Sequence, residues 1–435
     1  MTHDVAAPTF SVRCLPDGEG GAAPRMEEIK DRVVEYVYED KEKGADVLSL
    51  TVDNYLLDLT DDPAFKKGML LETSFGYPGR MAPARQMVVT RITGARQLKV
   101  VAHDRSILMA RKRHTRAFTN MRRSDIVRQV AAENGFADAD TVDVEDTPIV
   151  YESVHQARST DAAFLTRLAH LQGFEFYVDW DGFHWHSRRT GQRPARALEY
   201  FTAPAVGEVM EWNVENDITA RPARTRVQGR DLLNRQDIDV HSDDASDTDR
   251  VALAENREIV DPESGDSISA TTSRASSEET RTTTAQDAAS AQAEARARFR
   301  HVQLTAVKMT LTMVGDPEMF AKSVVELRGF GRRLSQRYWV KVAKHTIRGS
   351  YTTALNLASD GDGGHARESL LARGLELVAP TPTAARTNTA DAPPGADGQA
   401  PVDAGPLEPR ERVDEETGDS VTTFHDSRGR ASGGG

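Results

Sequence analysis

Apolar and polar residues alternate with a period of two through most of the first hundred positions. The runs Val33-Val34-Glu35-Tyr36-Val37-Tyr38, Val47-Leu48-Ser49-Leu50-Thr51-Val52, Met69 to Phe75, Met87-Val88-Val89-Thr90-Arg91-Ile92 and Leu98-Lys99-Val100-Val101-Ala102 are short and rich in β-branched residues. Asp, Gly and Pro separate them, which predicts a β-barrel or sandwich from Phe10 to about Asp104. The period changes after Ser106. Ser124-Asp125-Ile126-Val127 through Gly135 places a cap, a helical apolar face and a glycine stop in order, and Ser159 or Thr160 through Gly173 repeats that grammar with Phe164, Leu165, Leu168, Ala169 and Leu171 on one face. The second helix runs into the alternating strand Phe174 to Asp179. Trp180-Asp181-Gly182-Phe183 then reads as a hairpin turn returning through His184-Trp185-His186.

Between about 242 and 287 the chain is rich in Asp, Ser, Thr and Glu and poor in large apolar residues, which predicts a polar excursion that is mobile or orders on a partner. An Ala- and Arg-rich helix from about Ala285 to Arg300 leads out of it into a second β-rich stretch from Val302 to Ala358. A phrase recurs across these two β-rich stretches. Asp62-Pro63-Ala64-Phe65-Lys66-Lys67 and Asp316-Pro317-Glu318-Met319-Phe320-Ala321-Lys322 each precede an apolar run and then an aromatic–glycine pair, Phe75-Gly76 or Phe330-Gly331. Two related modules are expected. The Pro-, Ala-, Thr- and Gly-rich remainder is expected to be disordered. The expected architecture is therefore α+β, with a first tube-like β-barrel over 1–105, an α/β domain over 106–205, a second barrel over 206–373 with the polar insertion at about 242–287, and a tail over 374–435.

Composition narrows the functions. A net charge of −12 and no dominant basic field argue against a general nucleic-acid binder. A hydrophobic fraction of 38% is low for one globule of 435 residues and agrees with stretches that do not pack. The single cysteine, Cys14, excludes an intrachain disulfide or a cysteine-based zinc site within the chain and is expected as a packed strand residue. No signal-like amino terminus and no run of about 18 apolar residues is found, so synthesis in the cytoplasm without membrane insertion is expected.

Each candidate for chemistry has a plainer alternative. His184 and His186 project to one face of a strand and could pinch a metal, but no third ligand lies nearby in sequence, and ordinary hairpin positions are expected. His103-Asp104 with Ser106 invites a nucleophilic triad, yet adjacent strand residues point to opposite faces and no Gly-x-Ser-x-Gly elbow is present. Glu72, Asp53, Asp58, Asp61, Asp62, Glu175 and Asp179 could supply the paired carboxylates of a cell-envelope hydrolase, and Trp180 and Trp185 the platform of a glycan-binding adhesin. Neither pairing nor platform can be chosen from spacing, so no enzyme activity, catalytic residue, cofactor or metal is expected.

The segment Ser159-Thr160-Asp161-Ala162-Ala163-Phe164-Leu165 through Gly173-Phe174-Glu175-Phe176-Tyr177-Val178-Asp179 resembles the late control gene D family of phage baseplate hub proteins. Ser124 to Val127 with Gly135 resembles the family's preceding helix, Asp316-Pro317 its entry to the last barrel, and Gly329-Phe330-Gly331 with Tyr338-Trp339-Val340 the strands that follow. The resemblance covers about Val33 to Ala358. It implies a homotrimeric hub of a contractile tail or injection particle, whose two tube-like barrels per subunit present a pseudo-sixfold ring between the inner tube protein and a separate spike protein, beside baseplate wedge proteins. It also implies that Met69, Leu71, Phe75, Val324, Leu327 and Phe330 lie on the strands that build the ring.

Overall fold

The alternation becomes pleated strand with one face buried. Val33–Lys41 buries Tyr36, Tyr38 and Asp40, and Val47–Asp53 buries Leu48, Leu50 and Val52, every second residue turning inward as the pleat requires. The computed structural model describes residues 7–15, 30–60, 67–137, 141–200, 208–216, 222–231, 234–247, 251–254, 278–283, 285–304, 306–361, 408–413 and 420–425. Most of the first copy of the repeated phrase, residues 61–66, lies outside them.

Thr9–Cys14, Leu70–Tyr77, Arg85–Gly94, Gln97–Asp104, Val47–Asp53 and Val33–Lys41 are antiparallel neighbours in that order and enclose Cys14, Leu71, Phe75, Met87 and Val100. The sheet then passes directly into the second module. Val33–Lys41 pairs with Arg337–Arg348, from Tyr36 opposite Ile347 to Lys41 opposite Val342, and the path continues through Ser350–Ser359 and Val307–Val314 to Val209–Asn216. The two expected barrels are thus two lobes of one 13-stranded sheet. Among the described residues no strand ladder closes either lobe. The second core contains Met309, Leu311, Leu327, Tyr338 and Leu357.

Arg196–Glu199, expected in the α/β domain, pairs in parallel with Val324–Arg328 and so belongs to the second lobe. The described part of the polar insertion is ordered within the chain: Glu278–Thr282 pairs in parallel with Arg224–Asp231, which also pairs with Gln236–Asp243. A helix, Ala288–Gln303, covers this small sheet through Ala291 and Ala295 against Val227 and Ile238. Its residues are too small for a large core, but an Asp287–Ser290 capping box fixes its start.

The α/β domain holds α1, Arg123–Glu133, and α2, Asp161–Gln172, around Phe164, Leu168, Phe183 and Trp185. Thr160 caps α2 and Gly173 ends it at φ 73°. The helix α1 starts one residue before the expected cap; Ser124 is buried and bonds Thr147 instead. A three-stranded sheet orders Phe174–Val178, Phe183–Ser187 and Val142–Val144, the last pair parallel.

Residues 377–435 form a separate unit. Within the tail expected to be disordered, Glu408–Val413 pairs antiparallel with Ser420–His425. The β-branched residues Val421, Thr422 and Thr423 supply the strand preference that the flanking composition hides. Among the described residues no helix is long and apolar enough to cross a membrane.

Candidate functional site

The six residues placed on the ring strands are all buried inside the chain. Met69, Leu71 and Phe75 fill the first core, Leu327 and Phe330 the second, and Val324 packs beside Trp339. Their side chains hold the lobes together and are not free for a subunit surface, which the backbone edges and outward neighbours of these strands would have to provide. The reason is register: inward positions are the apolar ones, and a search for apolar residues selects the core.

The lobes and the α/β domain meet at a buried charged junction. Lys322, from the second copy of the repeated phrase, donates to Asp40 Oδ1 at 2.5 Å and to the Lys41 carbonyl at 3.0 Å, stands 3.9 Å from Asp46, and lies over the Tyr177 ring. It holds φ 62°, a left-handed conformation unusual for a residue with a Cβ. Arg85 stands 3.6 Å from Asp40 and 3.7 Å from Asp46, between the Tyr38 and Phe320 rings. Asp46 accepts from Tyr38 Oη at 2.8 Å and from the Lys41 N–H at 3.0 Å, while its own N–H donates to Asp104. Two buried cations therefore face three buried carboxyls. Burial and the neighbouring Asp40 charge push the Asp46 carboxyl up to about 8, so the surplus acid keeps its proton. Asp40 goes the other way: burial alone would raise it, but Lys322 and Arg85 hold it below the usual carboxylate range.

Arg80 extends the contact between lobes, donating to Asp316 at 2.8 Å and Glu318 at 3.0 Å, both in the repeated phrase. A second buried group joins the lobe to the α/β domain through Arg188, which donates to Glu175 at 2.8 Å and to Glu42. Burial and Glu42 raise Glu175 to about 7 against the pull of Arg188.

These contacts account for the chemical candidates. Asp104 accepts from the Ser106 N–H and His103 sits against Thr90, so the three residues form no triad. Among the carboxylates considered for hydrolysis, Glu72 pairs with Arg13, Asp58 with Arg32 and Glu175 with Arg188; Asp53 accepts from the Tyr55 N–H. Asp61 and Asp62 lie outside the described residues. Trp185 is buried in the domain core and only Trp180 is exposed, so the two form no shared platform.

The histidine pair differs from its expectation. His184 and His186 are buried on one strand face, and Asp143 lies directly opposite His184 on the parallel neighbour. Asp143 Oδ2 is 3.4 Å from His184 Nδ1 and 3.8 Å from His186 Nε2. The remaining ring nitrogens have partners: His184 Nε2 is 3.1 Å from Asp179 Oδ1, and His186 Nδ1 is 2.7 Å from the Ser187 carbonyl. Asp179 also accepts from the Asp181 and Gly182 N–H groups, so the predicted turn orients the histidine. A Cβ on Gly182 would lie 2.2 Å from the Thr141 carbonyl, and no side chain fits there. Sequence reasoning missed Asp143 because 41 residues separate it from His184 and only strand pairing unites them.

Among the solved structures that match, two tail proteins share this fold. A tail protein from Neisseria meningitidis MC58 matches with a TM-score of 0.58 at 14% identity, over 82% of this chain and 98% of that one. The 43 kDa tail protein of prophage MuSo2 from Shewanella oneidensis matches with a TM-score of 0.55 at 11% identity, over 81% and 99%. At such identities the likeness is one of fold. No curated protein matches the sequence. The family model that matches is not that of late control gene D; it is described as the Alg8 N-terminal domain and aligns with residues 51–349. That alignment spans well over half of the 435 residues, and the chain belongs to the Alg8 N-terminal domain family.

Proposed function

We propose that this chain is a structural hub subunit of a contractile tail or related injection particle, akin to the late control gene D proteins. Three copies form a ring that adapts a sixfold inner tube to a threefold central spike. The observation that carries this reading is the single sheet joining two lobes through Val33–Lys41 and Arg337–Arg348. Two β-lobes joined in one subunit are what a trimer needs to present six units. The fold shared with two tail proteins supports it, as does the buried charge at the junction, which opposes hinging between lobes. In this reading the protein turns over no substrate. Its partners are two further copies, the tube protein, the central spike and the surrounding wedge proteins, and it resides in the assembled particle.

The test is the mass of the purified chain by light scattering, with a version ending near Gly374 run beside it. A mass about three times that of one chain in both supports the ring and makes the tail dispensable for assembly. A strict monomer at micromolar concentration, or lysis of cell envelopes by the purified chain, refutes it.

A further inference from the structure

We propose that Asp143, His184 and His186 bind a divalent transition-metal ion, zinc being the best match. The inference rests on the cluster alone and is independent of the hub reading.

Protonation carries the argument. A carboxylate and a backbone carbonyl only accept hydrogen bonds, so Asp179 and the Ser187 carbonyl fix the protons on His184 Nε2 and His186 Nδ1. The opposite nitrogens both face Asp143 Oδ2, His184 Nδ1 within hydrogen-bond distance of it, and an ion entering between them takes the place of any proton held there. The three donor atoms lie within 4.8 Å of one another. In a tetrahedral zinc site with bonds of about 2.0–2.1 Å, neighbouring donors stand about 3.3 Å apart, close to the observed 3.4 and 3.8 Å. Imidazole bonded through its other nitrogen to a carboxylate or carbonyl is the usual surrounding of a metal-bound histidine.

Two groups balance the cluster without metal. Arg189 donates to Asp143 Oδ2 at 2.7 Å, and the Tyr177 hydroxyl lies 3.1 Å from His186 Nε2. Arg189 is half exposed and can swing into solvent when a cation takes its place. Asp143 is also partly exposed, which leaves the site reachable from that side. Three protein ligands leave one position for water or the Tyr177 hydroxyl. The nitrogen-rich donor set favours zinc, cobalt, nickel or copper over magnesium or calcium. The ion would clip the edge strand Val142–Val144 to the hairpin.

The experiment uses the untagged full chain, stripped with chelator and titrated with cobalt chloride. One cobalt per chain with a visible d–d band, displaced by zinc, is expected. Asp143→Asn with His186→Asn should abolish the band, Asp179→Asn should weaken binding about 10–100-fold, and Arg189→Ala should tighten it. Zinc-edge X-ray absorption on the unmodified protein, showing two imidazoles, checks the site independently of whether a variant folds. No stoichiometric cobalt or zinc, a shell without imidazole, or a band that survives in the folded double variant overturns the proposal.

Discussion

Replacing Lys322 by Met removes one positive charge from the junction while keeping a long unbranched side chain at φ 62°, so the backbone strain is common to both proteins. In the native chain the Lys322 side chain is 6% exposed and its ammonium is bound to Asp40 at 2.5 Å. Its loss leaves Arg85 alone to balance Asp40, Asp46 and Asp104. Breaking a buried ion pair from one side costs about 3–5 kcal/mol, whereas an exposed pair contributes about 0–1 kcal/mol. The lower end is expected near neutral pH, because Asp46 already keeps its proton there. The deficit should depend on pH. Asp40 is held low chiefly by Lys322; without it, burial raises its pKa in the folded state. A raised carboxyl contributes stability that is present in acid and lost as pH rises through the folded value, so the variant should approach the native chain toward pH 5 and fall away above pH 7. Equilibrium urea unfolding followed by tryptophan fluorescence at both pH values measures this. A deficit below about 1 kcal/mol at pH 7, or one that grows toward acid, would refute a charge-locked junction.

Asp46→Asn should flatten the native pH dependence. With Asp46 raised to about 8 from an ordinary value near 4, its contribution is present in acid and lost as pH rises toward 8, and urea midpoints of the variant should lose that slope. An unchanged slope would place the proton elsewhere. Gly173→Ala should destabilise by at least about 1–2 kcal/mol, since φ is 73° and the new Cβ would meet the Ala297 backbone at 2.9 Å; an unchanged urea midpoint would show that α2 and the Ala288–Gln303 helix are not in close contact.

Local pattern determined a great deal here. Alternation placed the strands Val33–Lys41 and Val47–Asp53, capping and a glycine stop bounded α2, and the Asp-Gly pair located the turn before His184, because each depends only on residues a few positions apart. The repeated phrase also marked the start of the second lobe's strand at Val324. What the chain did not disclose locally was long-range pairing. That Val33–Lys41 meets Arg337–Arg348, that Glu278–Thr282 returns beside Arg224–Asp231, and that Asp143 faces His184 are all choices of strand partner, made by sheet edges competing over hundreds of residues. The same holds for burial. Lys322, Arg85 and Asp46 look like ordinary surface charges in sequence, and only the tertiary structure withdraws them from water together, which is what shifts their protons and makes them matter.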